Sequence, residues 1–353
     1  MSFMPSSYSE DDVTILLKDV TGEVTPLDTE QREKLIQSGV HYCEMLPVEY
    51  QPSPEYIKQY EYALERFSQL TADAVRVVSE KIYAANKTPV LVSLARAGLP
   101  AGIMIKHYIE KKYGVSVPHY AISIIRGRGI DRNAMDYILS RHRREDIRFI
   151  DGWTGKGAIQ SQLTEAMADY PGVDDRVGVI ADPAGITPIC GTHDDFLIAS
   201  SCLNSTVSGL ISRTFLRSDI IGPEDFHGAV FYKELKDSDR SYEFIEAVER
   251  KINYDAPCPM NEDDVLSSGR EEVLDICRKF DIGDINFVKP GIGETTRVLL
   301  RRVPYKILIA DGCEEKYISH IRELASEKNV PVEYYPLKRY RCCGIIKKLP
   351  ADA

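Results

Sequence analysis

Residues 147–158 read Ile147-Arg148-Phe149-Ile150-Asp151-Gly152-Trp153-Thr154-Gly155-Lys156-Gly157-Ala158. Residues 147–150 form a short, mostly apolar run of the length of a buried strand. An acid and three glycines follow, and helical spacing resumes from Lys156. Parallel α/β sheets bind ligands beyond the carboxyl ends of their strands, so the turn is a candidate site. Asp151 is suited to accept hydrogen bonds from vicinal ribose hydroxyls. Thr154, Gly155, Lys156 and Gly157 are suited to wrap a phosphate with backbone N–H groups, as anion nests do. The spacing is not that of a Walker A loop. A purely structural glycine-rich corner is the competing reading.

The same alternation extends in both directions. Helical spacing covers residues 55–85, 99–113, 133–141 and 156–170, and apolar runs read as strands at 89–94, 118–125, 147–150, 177–181 and 196–200. Strands alternating with helices imply βαβ units and a mostly parallel sheet, buried on both faces. A second candidate loop, Ala95-Arg96-Ala97-Gly98, follows the strand at 89–94. Small residues there allow close backbone approach, the next helix offers free N–H groups, and Arg96 adds a charged donor, which together suit pyrophosphate. Between the two loops, Arg126 and Arg128 alternate with Gly127 and Gly129, a basic turn with hinge residues.

The totals narrow the field. A chain of 353 residues predicts two domains. A net charge of −10 argues against a surface devoted wholly to nucleic acid, yet residues 265–353 carry 16 Lys+Arg against 13 Asp+Glu, so an anionic partner is expected there. The eight cysteines contain no CxxC pair, which argues against a zinc site and for free thiols in a reducing compartment. The first residues lack a basic head and apolar run, and no stretch approaches the ~20 apolar residues of a membrane span. The expectation is a cytoplasmic protein without membrane contact, its oligomeric state open and a dimer included.

The loops at 91–101 and 148–158 resemble those of type I phosphoribosyltransferases, over roughly residues 60–220. The resemblance implies a phosphoribosyltransferase-like, mostly parallel α/β sheet that binds a phosphorylated ribose donor with Mg²⁺ and transfers or exchanges the ribosyl phosphate. It implies that Ala95, Arg96, Ala97 and Gly98 hold pyrophosphate. Asp151 and residues 154–157 would hold ribose and 5′-phosphate, with Asp151 meeting the metal indirectly, through ribose and water. It makes Asp151, Arg126 and Arg128 the catalytic residues, the two arginines neutralising the leaving group. The acceptor pocket would be lined by Trp153, Asp182, Ser201 and Cys202. One acid stands where that family has two adjacent, which favours a non-catalytic nucleotide sensor or RNA-binding regulator as the alternative.

Residues 287–350 resemble the Pelota-type RNA-binding fold. The turn Gly291-Ile292-Gly293-Glu294-Thr295-Thr296-Arg297 is similar to the family's helix-opening marker, with Gly293 where the family has Asn. This implies a small α/β domain that meets structured RNA through Gly291, Gly293, Glu294, Thr295 and Arg297, with Lys338 and Arg339 on the backbone; a docking domain with a basic edge is the competing reading. The expected organisation is an N-terminal arm or cover at 1–54, the phosphoribosyltransferase-like domain at 55–255, a linker at 256–264 and the Pelota-like domain at 265–353. The pairing resembles a family of bacterial tellurite-resistance and stress gene clusters, whose members are sometimes labelled cysteine proteases. A second alternative is therefore a cysteine peptidase-like thiol hydrolase, for which Cys190, His193, Cys202, Asp194 and Asp195 lie close in sequence.

Overall fold

In the computed structural model, which describes residues 3–258 and 269–347, the apolar runs become the middle of a six-stranded sheet. The N-terminal segment supplies β1 (Thr14–Ile15), β2 (Lys18–Asp19) and α1 (Thr29–Gln37). One unbroken helix follows, α2 (Pro54–Ala85), with proline at its start, where a missing N–H costs nothing. Then come β3 (Val90–Leu94), α3 (Gly98–Tyr113), β4 (His119–Ile122), the hairpin β5 (Ile124–Ile125) and β6 (Gly129–Ile130), and α4 (Arg132–Leu139). The first unit continues through β7 (Ile147–Trp153), α5 (Ala158–Met167), β8 (Gly178–Ala181), β9 (Cys190–Thr192), β10 (Gly228–Ala229) and α6 (Ser241–Glu249).

The large sheet runs β1-β4-β3-β7-β8-β9, and every pairing in it is parallel. Alternate residues of one strand feed opposite faces: Leu91 joins a core with α2, α3 and α6, whereas Val90, Val92 and Leu94 join one with α4 and α5. Both faces are covered, as the near-continuous apolar runs require. The chain steps from β3 through α3 to β4 on one side, and from β7 through α5 to β8 on the other. β3 and β7 are therefore the switch point, and the loops after them open side by side. Gly98 makes that closeness possible: a Cβ there would lie 2.3 Å from the Ile150 carbonyl oxygen.

Two expectations fail here. The apolar run at 196–200 is buried but is not a strand; β9 is instead the short stretch Cys190–Thr192. Phe196, Leu197 and Ile198 fill the core beside α2, so their apolarity reports burial rather than pairing. The N-terminal segment is more than a cover, since β1 pairs with β4 as the edge of the sheet.

The second unit contains α7 (Gly269–Lys279), β11 (Val288–Pro290), α8 (Ile292–Arg301), β12 (Pro304–Ala310), α9 (Glu315–Glu327), β13 (Val332–Tyr335) and β14 (Cys342–Ile346). The expected boundary at 264/265 and most of the linker lie outside the described residues. Its sheet runs β11-β14-β12-β13, with β14 antiparallel to both neighbours. α7 covers one face; α8 and α9 cover the other and share a core with α2 of the first unit. Phe67 stacks on Tyr317, and Tyr62 hydrogen-bonds Ser319, so α2 is a spine common to both units. Among the described residues, no helix is long and apolar enough to cross a membrane.

Candidate active site

β8 and β9 are parallel neighbours, with Ala181 beside Thr192. Their pairing brings the residue after β8, Asp182, against the residue after β9, His193, and holds Cys190 at the start of β9. Asp182-Pro183-Ala184-Gly185 is a tight turn: Gly185 N–H donates to the Asp182 carbonyl, and Gly185 adopts φ +65°. The Asp182 carboxylate is fully buried and firmly held. Thr154 donates its hydroxyl to one oxygen; Ile186 N–H and Thr187 N–H donate to the other at 2.6 and 2.9 Å.

His193 sits between this acid and a thiol. Its Nδ1 is 2.7 Å from the Asp182 carbonyl oxygen and 3.6 Å from the carboxylate. A carbonyl only accepts, so Nδ1 carries a proton. Nε2 is the ring nitrogen nearer Cys190 Sγ, at 3.6 Å. A thiol, an imidazole and a backbone carbonyl that holds the ring are thus neighbours, with the Asp182 carboxylate just beyond, a grouping suited to an activated nucleophile. Cys190 itself is buried. One potential ligand atom each from Asp182, Cys190 and His193 lie within 4.8 Å of one another, a spacing that also suits a metal ion.

The other thiols are less favourably placed. Burial pushes the Cys202 thiol up to about 12, and although Arg301 and Arg297 lie near, no imidazole is hydrogen-bonded to it among the described residues. Cys43 Sγ is 3.0 Å from His41 Nδ1, but burial raises that thiol too, and His41 has no carboxylate partner among the described residues. Burial also raises Cys258, Cys277, Cys313, Cys342 and Cys343.

The two loops at the switch point do meet. Ala97, Asp151, Trp153, Thr154, Gly155, Lys156 and Gly157 line one cavity of about 290 Å³, and Arg96 and Ala97 line a second of about 430 Å³. Burial pushes Asp151 up to about 7, although Gly152 N–H and Arg297 favour its charged form. Several side chains and one carbonyl of the supposed phosphate cradle bond within the protein. The Thr154 hydroxyl holds Asp182, the Lys156 ammonium is spent on the Ile285 and Val288 carbonyls, and Gly155 accepts from the Tyr340 hydroxyl. Arg128 pairs with Glu44 and Arg126 reaches Asn286; neither lines those cavities.

In the second unit the start of α8 faces the first unit. Asp195 accepts from Ile292 N–H at 2.8 Å, Arg297 donates to the Ser201 carbonyl at 2.9 Å, and Thr295 is buried. A Cβ on Gly291 would approach Asp195, and one on Gly293 would approach Ser201. Glu294 accepts from Arg297. The backbone N–H groups of Lys338 and Arg339 bind Glu272, and the Lys338 side chain is left at the surface. Sequence reasoning did not find Arg213, Lys289, Arg301 and Arg302, which share the larger cavity with Arg96 and Arg297. The excess of basic residues in the C-terminal part was the available signal for three of them.

Residues 6–249 match the family model described as tellurite-like stress resistance cysteine protease StiP, and residues 267–348 match the PELOTA RNA binding domain. The chain is 34% identical to "Cysteine protease StiP" of Acinetobacter baylyi (strain ATCC 33305 / BD413 / ADP1), over 97% of this chain and 94% of that one. No solved structure matches the chain. These names overturn the expectation of a phosphoribosyltransferase acting on a pyrophosphorylated ribose donor with magnesium chemistry: both name a cysteine protease. By the extent of both matches, the chain belongs to the StiP family of tellurite-like stress resistance cysteine proteases.

Proposed function

We propose that the chain is a thiol-dependent peptide hydrolase in which Cys190 is the nucleophile, His193 the general base and acid, and Asp182 the group that orients the imidazole. The single observation carrying this reading is the proximity of thiol and imidazole: Cys190 Sγ lies 3.6 Å from His193 Nε2 and 3.9 Å from Nδ1, while the Asp182 carbonyl holds Nδ1 at 2.7 Å. The name of the Acinetobacter relative supports the same class of chemistry.

In the first half-reaction His193 Nε2 takes the thiol proton, and the thiolate attacks the scissile carbonyl carbon. The tetrahedral intermediate collapses as Nε2–H protonates the departing amine, leaving a thioester on Cys190. Water, deprotonated by the same nitrogen, then releases the acid and restores the thiol. Asp182 keeps the proton on Nδ1 throughout, which holds Nε2 in the accepting form.

The test is hydrolysis of unfolded casein under reducing conditions. Cys190→Ala and His193→Gln are expected to lower the rate by roughly 10³-fold or more, by analogy with other nucleophile–base pairs, while Cys202→Ala leaves it unchanged. The alternative use of the same three residues, as a metal site, predicts loss of activity in a chelator and recovery with zinc; the thiol reading predicts insensitivity to both. We also infer that the first unit keeps a phosphoribosyltransferase-type strand arrangement without that chemistry. Support comes from the β3/β7 switch point and its two adjacent loops.

A further inference from the structure

The larger cavity, of about 430 Å³, lies between the two units. Arg96 and Arg213 come from the first unit, and Lys289, Arg297, Arg301 and Arg302 from the second. Glu294 is the one acid in its wall, and it already accepts from Arg297 at 3.3 Å. The guanidinium groups are held in place largely by neutral acceptors. Arg96 donates to the Ile211 carbonyl, Arg297 to the Ser201 carbonyl, Arg213 to the carbonyls of Tyr42 and Met45, and Arg301 to Asn204 Oδ1 and the Cys202 carbonyl. Glu49, 3.9 Å from Arg96, is outside the wall. Arg213 and Arg301 are therefore oriented without a carboxylate bonded to them, while Arg297 and Arg96 each have one carboxylate near. Lys289 and Arg302 have no side-chain hydrogen bond or ion pair among the described residues. The Nε atoms of Arg213 and Arg301 are buried and lack a hydrogen-bond partner among the described residues.

This arrangement is costly when empty. Burial, then the neighbouring cations, push Arg213 and Arg301 down to about 10, and burial lowers Lys289 as well. Cations gathered in a part-buried cleft repel one another and lose hydration unless an anion enters. The fork of arginine fits phosphoryl oxygens in particular.

We propose that this cavity binds a compact polyanion: a small molecule carrying two or three linked phosphoryl groups, either free or as part of a nucleotide. The charge density decides the class. An acidic peptide or a nucleic-acid strand spreads its charges along a backbone, and neither brings several into one cavity of this size. A linked di- or triphosphate does, and the volume lies within the range of small-ligand sites. The site is distinct from Cys190 and involves binding only, with no group transfer.

The experiment is calorimetric titration of the full chain at low salt with tripolyphosphate, pyrophosphate, ADP, orthophosphate and sulfate. Tripolyphosphate and pyrophosphate are expected to bind at least tenfold more tightly than orthophosphate or sulfate, and to weaken as salt rises. Arg302→Ala and Lys289→Ala should each weaken them about tenfold. Arg132→Ala, on the exposed surface of α4, should have no effect, and Cys190→Ala should bind like the wild type. ADP binding more tightly than pyrophosphate identifies a nucleotide ligand, and weaker binding identifies the free oligophosphate; both support the site. Circular dichroism melting of Arg302→Ala establishes that it folds. The proposal is overturned by no binding at millimolar concentration, or by binding that a folded Lys289→Ala/Arg302→Ala double variant retains in full. It is equally overturned if orthophosphate and sulfate bind as well as pyrophosphate, which marks an adventitious ion only, or if an RNA oligonucleotide binds through Lys289 and Arg302 while the polyphosphates do not.

Discussion

His193 and Cys190 are three residues apart, so their proximity was visible in the sequence. What it did not reveal was that Asp182, eight residues before Cys190 and expected in an acceptor pocket, holds the imidazole, because a parallel pairing of β8 and β9 is needed to bring it there. A different histidine shows how residues tie the N-terminal segment down. His107 on α3 meets Asp12 at Nε2 and Glu249 of α6 at Nδ1, both at 2.7 Å. Burial opposes its protonation, but the two acids outweigh burial and push it up to about 9 from 6.5. The folded state therefore holds this proton more tightly than the unfolded state does. The resulting stability is complete below about pH 6.5 and is lost as pH rises through about 9. At most about 3 kcal/mol is at stake. Denaturant titrations from pH 6 to 10 are predicted to show the difference between wild type and His107→Gln shrinking across that window. A constant difference would mean that His107 is neutral in the fold.

Long apolar runs made β3, β7 and β8 legible as strands, and helical periodicity made α2 and α3 legible as helices. β9 was not legible, because Cys190-Gly191-Thr192 is short and carries no apolar pattern. It is specified by tertiary contact: a Cβ on Gly191 would lie 2.2 Å from the Ala74 carbonyl oxygen of α2. The glycine lets the spine helix seat directly on the strand that begins with Cys190. Since the obstacle is backbone, Gly191→Ala cannot be relieved by a rotamer change and is predicted to cost about 1–3 kcal/mol. It should also lower casein hydrolysis by displacing Cys190 from His193. Thermal unfolding together with the rate checks this; a variant with unchanged stability and rate would contradict the close seating.

Across the whole molecule the two units share one core and a set of buried polar ties. Asp195 accepts from Ile292 N–H through one carboxylate oxygen and from Arg341 N–H through the other, both at 2.8 Å. Asp195→Ala leaves two backbone donors without that partner and is predicted to cost roughly 2–5 kcal/mol. The wild type is predicted to unfold in one transition by both fluorescence and circular dichroism, whereas separate transitions would show independent units. Chain length and the proline-bearing stretch at 254–259 lead to an expectation of two domains, without saying how they dock. The Gly-rich turn at 291–293 reads as a ligand-facing feature, yet in the fold its open backbone accommodates Asp195 and Ser201. In the loop at Asp151–Gly157 the sequence did not disclose that the Thr154 hydroxyl bonds the site acid and that Lys156 makes an inter-unit contact.

The most direct test of the central claim is the rate of casein cleavage by purified full-length chain under reducing conditions, compared with Cys190→Ala and with Cys43→Ala and Cys202→Ala as matched thiol losses. Cleavage by the wild type that is abolished in Cys190→Ala and kept in the other two is the predicted result. A wild type that cleaves nothing, or a Cys190→Ala variant as active as the wild type, would contradict it.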